Sequence, residues 1–477
     1  MMNRKLNIFL SFTPFIALII FLFIIIHFLQ IDALAGGSQI ALLFATSICC
    51  AIALLVYKTK WTTIEKSFSD NIGNVGSAIV ILLLIGAISG IWTVSGIVPT
   101  LIYYGVQIIH PSFFLISSCI ICCIVSLMTG SSWTTIATIG IALMGIGRAQ
   151  GFPDGWIAGA IISGAYFGDK ISPMSDTTVL ASSMTNTPLF THIRYMIITT
   201  VPSLSISLLV FLFAGLSHQV NDPSTIGMYT TVLKQTFHIS LWLMVVPVIT
   251  AILIVKKLPA IVVLFSSVIL AAVFAYFFQP EILMKVIGGQ DLSSITLFKG
   301  LISSIYGSTS IHTSNEAINQ LLATKGMTGM LNTIWLILCA MCFGGAMTAS
   351  GMLATITSVL TKLSKTRTSM VASTVLSGLM LNSMVADQYL SIILSSNMFK
   401  ATFKKKGYES RLLSRTVEDS CTVTSVLVPW NTCGMTQSTV LGVSTLTYLP
   451  YCVFNYISPL MSIIIAAIGY KIYRKAV

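Results

Sequence analysis

Long apolar runs separated by short polar loops make up most of this amino-acid sequence. Several runs exceed the roughly 18 apolar residues that a membrane-spanning helix requires. They predict helices at residues 8–28, 39–56, 77–98, 195–216, 239–255, 260–278, 332–360, 370–399 and 446–470. The run at 112–147 is too long for one span and has a polar interruption at 129–132, so we expect two short elements that meet there. The pattern predicts an all-α polytopic membrane protein with about eleven or twelve transmembrane elements.

The distribution of charge predicts how these helices cross the membrane. Only 8% of the residues are charged, against about 25% in soluble proteins. Lys and Arg concentrate in short loops, for example at Lys404, Lys405 and Lys406, whereas the loop at 99–111 has neither. By the positive-inside rule, the basic loops and both termini lie in the cytoplasm and the 99–111 loop lies outside. The net charge of +12 therefore indicates a lipid bilayer as partner and excludes nucleic acid.

One polar stretch, residues 163–187, interrupts the apolar pattern. Its charged residues are Asp169, Lys170 and Asp176, and hydroxyl side chains surround them. Pro173 lies between the two aspartates and cannot continue a helix, because it has no N–H group. We therefore expect a half-helix that ends near Gly168, an unwound segment, and a second half-helix that starts after Pro173. Broken helices with polar side chains are typical of ion and substrate sites in secondary transporters, and an exposed cytoplasmic loop is the alternative.

The segment GAYFGDKISPMSDTT (164–178) closely resembles the signature region of the NhaC family of bacterial sodium/proton antiporters. The resemblance covers most of the chain, because NSMVADQYLSIIL (382–394) and the region around Glu418 and Asp419 are similar to that family too. The family includes a branch that exchanges malate and protons for lactate and sodium. Its members belong to a larger group built from two inverted repeats with broken helices. The resemblance implies that the ion or substrate site contains Asp169, Lys170, Ser172, Pro173, Ser175, Asp176, Thr177, Asn382 and Asp387.

The two halves of the chain also resemble each other. GIWTVSG at 90–96 and GAMTASG at 345–351 share both glycines, the threonine and the serine. Near an offset of 250, Asp169 corresponds to Asp419, and Pro173 and Asp176 have approximate counterparts in Pro429 and Asn431. The loop after the first copy is uncharged and the loop after the second is basic, so we expect inverted copies. Chance similarity between Gly-rich helices is the alternative.

This repeat predicts how the chain is divided. We expect N-terminal membrane helices (1–70), a first repeat (71–216), connecting helices with a polar outer segment (217–330), a second repeat (331–445), and a final helix with a basic cytoplasmic tail (446–477).

Acidic side chains in apolar surroundings are the candidate ion ligands. An ionisable group at membrane depth costs several kcal/mol, so its presence suggests a function. Burial favours the protonated carboxyl and a bound Na⁺ favours the ionised one, so one carboxylate can hold either ion in turn. We expect Asp169, Asp176 and Asp387 to bind Na⁺. Secondary candidates are Thr178, Gly130, Ser131, Glu418, Asp419 and Asn431.

Two candidates have alternative roles. Lys170 is either the counter-ion of Asp169 or Asp176, or a lysine that extends to the membrane interface. Asn382 is expected at the interruption of its repeat, where Gly130 lies in the first, and a helix-cap role is equally consistent with its position.

Glu418 and Asp419 also have a second interpretation. They lie close behind Arg411 and Arg415, so a cytoplasmic cluster of ion pairs is the alternative to an ion site.

These observations favour a secondary active transporter, with Na⁺/H⁺ antiport by alternating access as the expected activity. The alternative is coupled exchange or uptake of a small organic anion or amino acid of the malate or lactate type. Na⁺ and H⁺ are the expected coupling ions, without a cofactor, and a homodimer is left open. An intramembrane aspartyl protease would need a Gly-x-Gly-Asp setting, whereas Tyr-Phe-Gly precedes Asp169, so we do not expect an enzyme. The resemblance places the protein in the bacterial plasma membrane.

Overall fold

The computed structural model describes residues 7–29, 36–217, 223–256, 258–313, 315, 318–319 and 322–473. Within these ranges the backbone is helical or irregular, apart from one isolated antiparallel bridge between Thr309 and Thr324. Helices satisfy their own backbone hydrogen bonds, which is what an apolar chain in lipid requires. The predicted all-α fold is confirmed.

Helices form most of both halves of the chain. The first half contains Ile8–Leu29, Gly37–Leu55, Trp61–Asn74, Gly76–Val94, Ile97–Ile108, Phe114–Thr129, Ser132–Thr135, Ile141–Ala149, Asp154–Ile171, Asp176–Met184 and Leu189–Leu216. The second contains Pro223–Thr236, Val245–Val255, Ala260–Phe278, Pro280–Val286, Ser294–Tyr306, Leu331–Ala349, Met352–Leu363, Arg367–Met384, Gln388–Lys405, Ser410–Val417, Thr432–Leu441, Thr445–Tyr448 and Val453–Ile468. Two π-helical turns, Ile136–Gly140 and Glu418–Thr422, extend the helices next to them.

The lengths of these helices confirm a polytopic membrane protein. Seven helices in the described part of the chain are long and apolar enough to cross a membrane, or nine if two bent pairs each count as one span. The sequence-based figure of about eleven or twelve elements also counts half-helices, which are too short to span alone. Asp176–Met184, for example, has 9 residues.

Three apolar windows that the sequence predicts as single helices are interrupted. Gly96, Gly351 and Ala386 have left-handed backbone, with φ of 81°, 75° and 60°. A right-handed helix cannot continue through such a residue, so a new helix begins after each one. The prediction of an outer loop at 99–111 is therefore wrong in part, because most of this segment belongs to the helix Ile97–Ile108.

Four non-helical segments separate consecutive helices and are numbered in chain order. The first break is 130–131, the second is 172–175, the third is 385–387 and the fourth is 428–431. The first and second breaks confirm the two interruptions predicted at 129–132 and at Pro173. The helix before Pro173 ends at Ile171, one turn later than expected.

Local backbone features recur 256 residues apart. The pairs are Gly130 and Ala386 with left-handed backbone, Ser131 and Asp387 as N-caps, Pro173 and Pro429, and Ser175 and Asn431 as N-caps. In this register the predicted pairing of Asp169 with Asp419 is wrong, because Ser425 lies 256 residues after Asp169. Asn382 likewise does not correspond to Gly130. These matches support a repeat, while the inverted orientation of its copies and the domain boundaries stay predictions.

Candidate functional site

A cavity of about 630 Å³ lies where the first and second breaks meet. Its lining residues are Asn74, Ser77, Ala78, Ile81, Thr129, Gly130, Ser131, Trp133, Thr134, Asp169, Met174, Ser175, Asp176, Thr177, Ile254, Leu258, Pro259, Ala260, Ile261, Val263, Gln388, Tyr389 and Cys433. Two of these side chains are carboxylates, and none of the described lining residues is Lys, Arg or His. The cavity therefore favours a cation.

Close helix packing positions the first two breaks against each other. Gly164 and Gly168 face the helix Phe114–Thr129. A Cβ atom at Gly164 would lie 2.2 Å from the Cys119 backbone oxygen, and one at Gly168 would lie 2.5 Å from the Leu127 backbone nitrogen. Such small-xxx-small spacing allows two membrane helices to approach closely. The last turn of Asp154–Ile171 is thereby fixed beside the first break.

Asp169 lies in that last turn and is only 5% exposed. Its Oδ2 atom accepts hydrogen bonds from the backbone N–H of Ser132 at 3.1 Å and from the Ser132 hydroxyl at 2.7 Å. Its Oδ1 atom accepts a hydrogen bond from the Ser175 hydroxyl at 2.5 Å. The Ser132 N–H belongs to a helix N-terminus, where negative charge is stabilised. The two breaks together therefore build an anionic centre inside the cavity.

Asp176 is placed differently from Asp169. It is the first residue of the helix Asp176–Met184, and its side chain is exposed at the cavity. An exposed carboxylate attracts cations through a high-dielectric medium, which weakens the interaction. The two aspartates of the signature therefore line one cavity at different degrees of burial.

Other hydroxyls of the signature hold the second break together. The Ser172 hydroxyl donates to the Leu127 carbonyl at 2.9 Å. The Thr178 hydroxyl donates to the Lys170 carbonyl at 2.9 Å, which satisfies an acceptor at a helix end. The Thr177 hydroxyl contacts Ser175 at 2.9 Å and the Glu418 carboxyl at 3.1 Å.

Lys170 points away from the cavity. Its side chain is fully buried, and Nζ forms an ion pair with Asp419 and donates to the Ser458 hydroxyl at 2.8 Å. Neither predicted alternative is correct in this structure, because Lys170 is paired with neither Asp169 nor Asp176 and does not reach the surface.

The alternative of a cytoplasmic cluster of ion pairs around Glu418 and Asp419 is correct only in part, because Asp419 does pair with Arg415 but the pair is buried. Both acidic side chains are fully buried, whereas Arg411 pairs with Glu409 at a partly exposed position. Arg415 is buried with its Nε 3.9 Å from Asp419. Glu418 and Asp419 therefore belong to the protein interior.

The predicted residues of the second half do not line this cavity. Asp387 caps the helix Gln388–Lys405 by accepting from Leu390 N–H at 2.9 Å, and Oδ2 accepts from the Thr432 hydroxyl at 3.3 Å. The Asn382 side-chain amide donates to the Cys421 backbone carbonyl at 2.8 Å. The backbone carbonyl of Asn382 accepts from the Asn431 side-chain amide at 3.0 Å. The three predicted residues connect the third and fourth breaks.

Sequence reasoning missed several residues of the cavity. Ser132 contacts Asp169 directly, and Gln388, Tyr389 and Cys433 from the second half face the same space. The register of 256 residues is a signal that could have found them, because Ser132 corresponds to Gln388. The equivalent contact is present, since Gln388 Oε1 accepts from the Ser425 hydroxyl at 2.9 Å.

Comparison with known proteins identifies the family. A model of the Na⁺/H⁺ antiporter family matches residues 164–470, which is more than half of the chain. The chain belongs to the Na⁺/H⁺ antiporter family. The family resemblance inferred from the signature segment is confirmed.

Several known antiporters are similar to this chain over most of its length. The Na⁺/H⁺ antiporter NhaC of Bacillus subtilis is 35% identical over 89% of this chain and 91% of its own length. The malate-2H⁺/Na⁺-lactate antiporter of the same organism is 35% identical over 85% of this chain and 84% of its own. The arginine/ornithine antiporter ArcD of Halobacterium salinarum is 32% identical over 97% of this chain and 92% of its own. Antiport is common to all three names, while the exchanged solutes differ.

Proposed function

We propose that this protein is a secondary antiporter of the plasma membrane that exchanges Na⁺ for H⁺ at Asp169. The single observation that carries this proposal is the cavity with two carboxylates and no basic side chain among its described lining residues. Membership of the Na⁺/H⁺ antiporter family supports it independently. Asp176 acts at the more exposed part of the cavity, where its charge raises the local cation concentration.

The surroundings of Asp169 suit a carboxylate that holds either ion. Na⁺ is a hard cation that prefers oxygen ligands. The hydroxyl-bearing residues Thr129, Ser131 and Ser175 line the cavity together with the Asp169 carboxylate. The low exposure of Asp169 means that its charge must be compensated by hydrogen bonds, by a proton or by a cation. H⁺ and Na⁺ consequently compete for this centre.

The positive-inside rule supports a cytoplasmic opening of the cavity. Leu258 and Pro259 line it and follow the sequence pair Lys256 and Lys257, and Asn74 lines it at the end of the helix that contains Lys66. Basic residues favour the cytoplasmic side. Alternating access would then require a second conformation in which Asp169 faces outward.

A second candidate function is exchange of an organic solute. A volume of about 630 Å³ is larger than Na⁺ needs and lies in the range of small-molecule sites. The acidic lining favours a cationic amino acid such as arginine over malate or lactate, because an organic anion needs a positive group in the cavity. Lys170, the basic residue of the signature, is paired with Asp419 instead.

Transport by the purified protein in liposomes distinguishes the two functions. We expect Na⁺ added on one side to move protons in the opposite direction, reported by a trapped pH dye, without any organic solute. Asp169→Asn should abolish this signal while retaining a monodisperse elution profile. The amide cannot bind and release a proton as a carboxylate does, and it has no negative charge to balance Na⁺. Proton movement that requires arginine, ornithine, malate or lactate would replace Na⁺/H⁺ exchange by the second function.

A further inference from the structure

A line of four oxygen atoms connects Asp169 with Glu418. Asp169 Oδ1 lies 2.5 Å from Ser175 Oγ, Ser175 Oγ lies 2.9 Å from Thr177 Oγ1, and Thr177 Oγ1 lies 3.1 Å from Glu418 Oε1. Asp169 lines the cavity, whereas Glu418 is fully buried and does not line it. The line therefore joins a carboxyl group in the cavity to one in the protein interior.

The number of protons on this line is fixed by its contacts. Each of the three contacts has hydrogen-bond length and needs one proton between its two oxygens. The hydroxyls of Ser175 and Thr177 supply one proton each, and an ionised carboxylate supplies none. The third proton must therefore belong to Asp169 or to Glu418, so the two carboxyl groups hold one proton between them.

The contacts of the other two carboxyl oxygens, Asp169 Oδ2 and Glu418 Oε2, indicate that this proton lies on Glu418. Asp169 Oδ2 accepts two further hydrogen bonds from Ser132, and such bonds stabilise the ionised form. Glu418 Oε2 is buried near Thr422 and accepts no hydrogen bond of ordinary geometry from the described residues. An ionised carboxylate with one buried oxygen that accepts no hydrogen bond is costly. The arrangement is then Glu418–OH to Thr177, Thr177 to Ser175, and Ser175 to the Asp169 carboxylate.

Nearby charges do not replace that proton. Lys170 is the basic residue that acts on Glu418, and its ammonium group is already paired with Asp419. On the same helix Arg415 has Asp419 as its carboxylate neighbour at 3.9 Å. Asp169, at the far end of the line, is itself an acidic group and supplies no positive charge to Glu418.

We propose that Glu418 holds the proton exchanged by this protein and that Thr177 and Ser175 relay it to Asp169, where Na⁺ replaces it. In the relay each hydroxyl accepts one proton and passes on its own, which leaves Glu418 ionised and Asp169 protonated. The Asp169 proton then leaves to water in the cavity. Both hydroxyl protons now point toward Glu418, so the lone pairs of Ser175 Oγ and Asp169 Oδ1 are free to bind Na⁺. One proton leaves for each Na⁺ that binds, and only O–H bonds are broken and formed.

The proposal rests on Na⁺/H⁺ exchange at Asp169 and adds a proton site that Na⁺ never touches. Na⁺ and H⁺ compete for the Asp169 carboxylate. They also compete indirectly, because the hydroxyl protons must point toward Glu418 before Na⁺ can bind. Thr177 and Ser175 take part directly, because each hydroxyl receives and donates a proton in the relay.

Two measurements test the relay in the full-length protein. The first is Na⁺-driven proton movement in liposomes, and the second is the number of protons released per Na⁺ bound in detergent, measured with radioactive Na⁺ and a pH dye. Thr177→Val removes the hydroxyl and keeps the size, whereas Thr177→Ser keeps the hydroxyl. Ser182→Ala is the matched control, because that hydroxyl donates only to the Val179 carbonyl of its own helix.

We expect Thr177→Val to slow exchange by about a hundredfold, as loss of a positioned proton-transfer group does. Thr177→Ser keeps the hydroxyl and should therefore exchange much faster than Thr177→Val, and Ser182→Ala should exchange at close to the unmodified rate. Glu418→Gln imitates the protonated carboxyl, so Na⁺ should bind more weakly and release no proton. The unmodified protein should lose Na⁺ affinity about tenfold per pH unit of acidification, as linkage to one proton requires, and Glu418→Gln should not.

A wild-type rate for Thr177→Val, or one proton released per Na⁺ by Glu418→Gln, would overturn the relay. If Thr177→Val does not fold, the proton count of Glu418→Gln decides alone. Absence of Na⁺ binding and of proton movement in the unmodified protein would instead overturn Na⁺/H⁺ exchange itself. The failure of the relay and the failure of the proposed function are thus distinguishable.

Discussion

The buried ion pair between Lys170 and Asp419 makes a sharp prediction about stability. Lys170 lies in the last turn of the helix before the second break, and Asp419 lies in the π-helical turn Glu418–Thr422. Both side chains are fully buried. Removing one partner of such a pair leaves a charge without compensation in the protein interior. We therefore consider Lys170→Met and Asp419→Asn, each alone and in combination.

The contacts that remain decide the size of each effect. Breaking a buried ion pair costs about 3–5 kcal/mol. After Lys170→Met, Asp419 still accepts from the hydroxyls of Thr199, Ser458 and Ser462 and has Arg415 nearby, so we expect about 3 kcal/mol, the lower end of that range.

Asp419→Asn should be more severe than Lys170→Met. It leaves the Lys170 ammonium with the Ser458 hydroxyl at 2.8 Å, and it removes the carboxylate beside Arg415. Two buried cations then lose compensation, so we expect about 5 kcal/mol. Because the residues are in contact, the double variant should lose less than the sum, by about 1–3 kcal/mol.

Thermal unfolding of the detergent-solubilised protein measures this order. The fraction that elutes as a folded, monodisperse species is followed after heating, and a loss of about 3 kcal/mol lowers the folded-to-unfolded ratio about a hundredfold. The matched control is Arg148→Met, which breaks the pair with Asp154 where the two side chains are 32% and 40% exposed. A partly exposed pair contributes about 0–1 kcal/mol, so this variant should barely change the midpoint.

Equal midpoints for Lys170→Met, Asp419→Asn and the unmodified protein would refute the reasoning. Such a result would mean that water reaches the pair or that neither side chain is ionised. If the folded fraction of Lys170→Met also fails to transport although it is stable, Lys170 acts in the transport site rather than in holding the helices together.

Three further predictions concern the breaks and the stoichiometry. Gly130→Ala should destabilise the protein and slow transport, because a left-handed Ala costs about 1–2 kcal/mol and its Cβ would lie 2.6 Å from the Met174 carbonyl carbon; Ala386→Gly should be neutral or stabilising in the same thermal assay. Asp387→Ser should keep transport if Asp387 is a helix cap like Ser131, and loss of transport with unchanged stability would make Asp387 an ion ligand. One Na⁺ exchanged per proton moves no net charge, so an imposed potential of about 100 mV, equivalent to about 2.3 kcal/mol per charge, should leave the rate unchanged; a voltage-dependent rate contradicts this ratio.

The sequence predicted features that depend on local chemistry. Pro173 removes an N–H group and must interrupt a helix wherever the chain goes, and the break at 172–175 follows. An aspartate among apolar residues is costly in any arrangement, which is why Asp169 stood out and why the structure places it in a cavity. The type and approximate position of the long apolar helices were predictable for the same reason.

Contacts between distant segments could not be predicted in this way. Lys170 pairs with Asp419 across 249 positions, and Thr177 contacts Glu418 across 241. Neither spacing reflects a local rule, because both depend on how helices from the two halves pack. Left-handed residues such as Ala386 were missed as well, since Ala favours a helix and only tertiary contacts hold it in that conformation.

The two halves place different chemistry on equivalent positions, and this difference argues for one cation site rather than two. The contact of Ser132 with Asp169 in the first half corresponds to that of Gln388 with Ser425 in the second. Carboxylate and hydroxyl in one half are replaced by amide and hydroxyl in the other, so the geometry is kept while the negative charge is lost. A neutral amide can position a helix end but cannot release a proton when Na⁺ arrives. In the proposed relay, the acidic group that the second half contributes is Glu418, whose carboxyl contacts Thr177 of the first half.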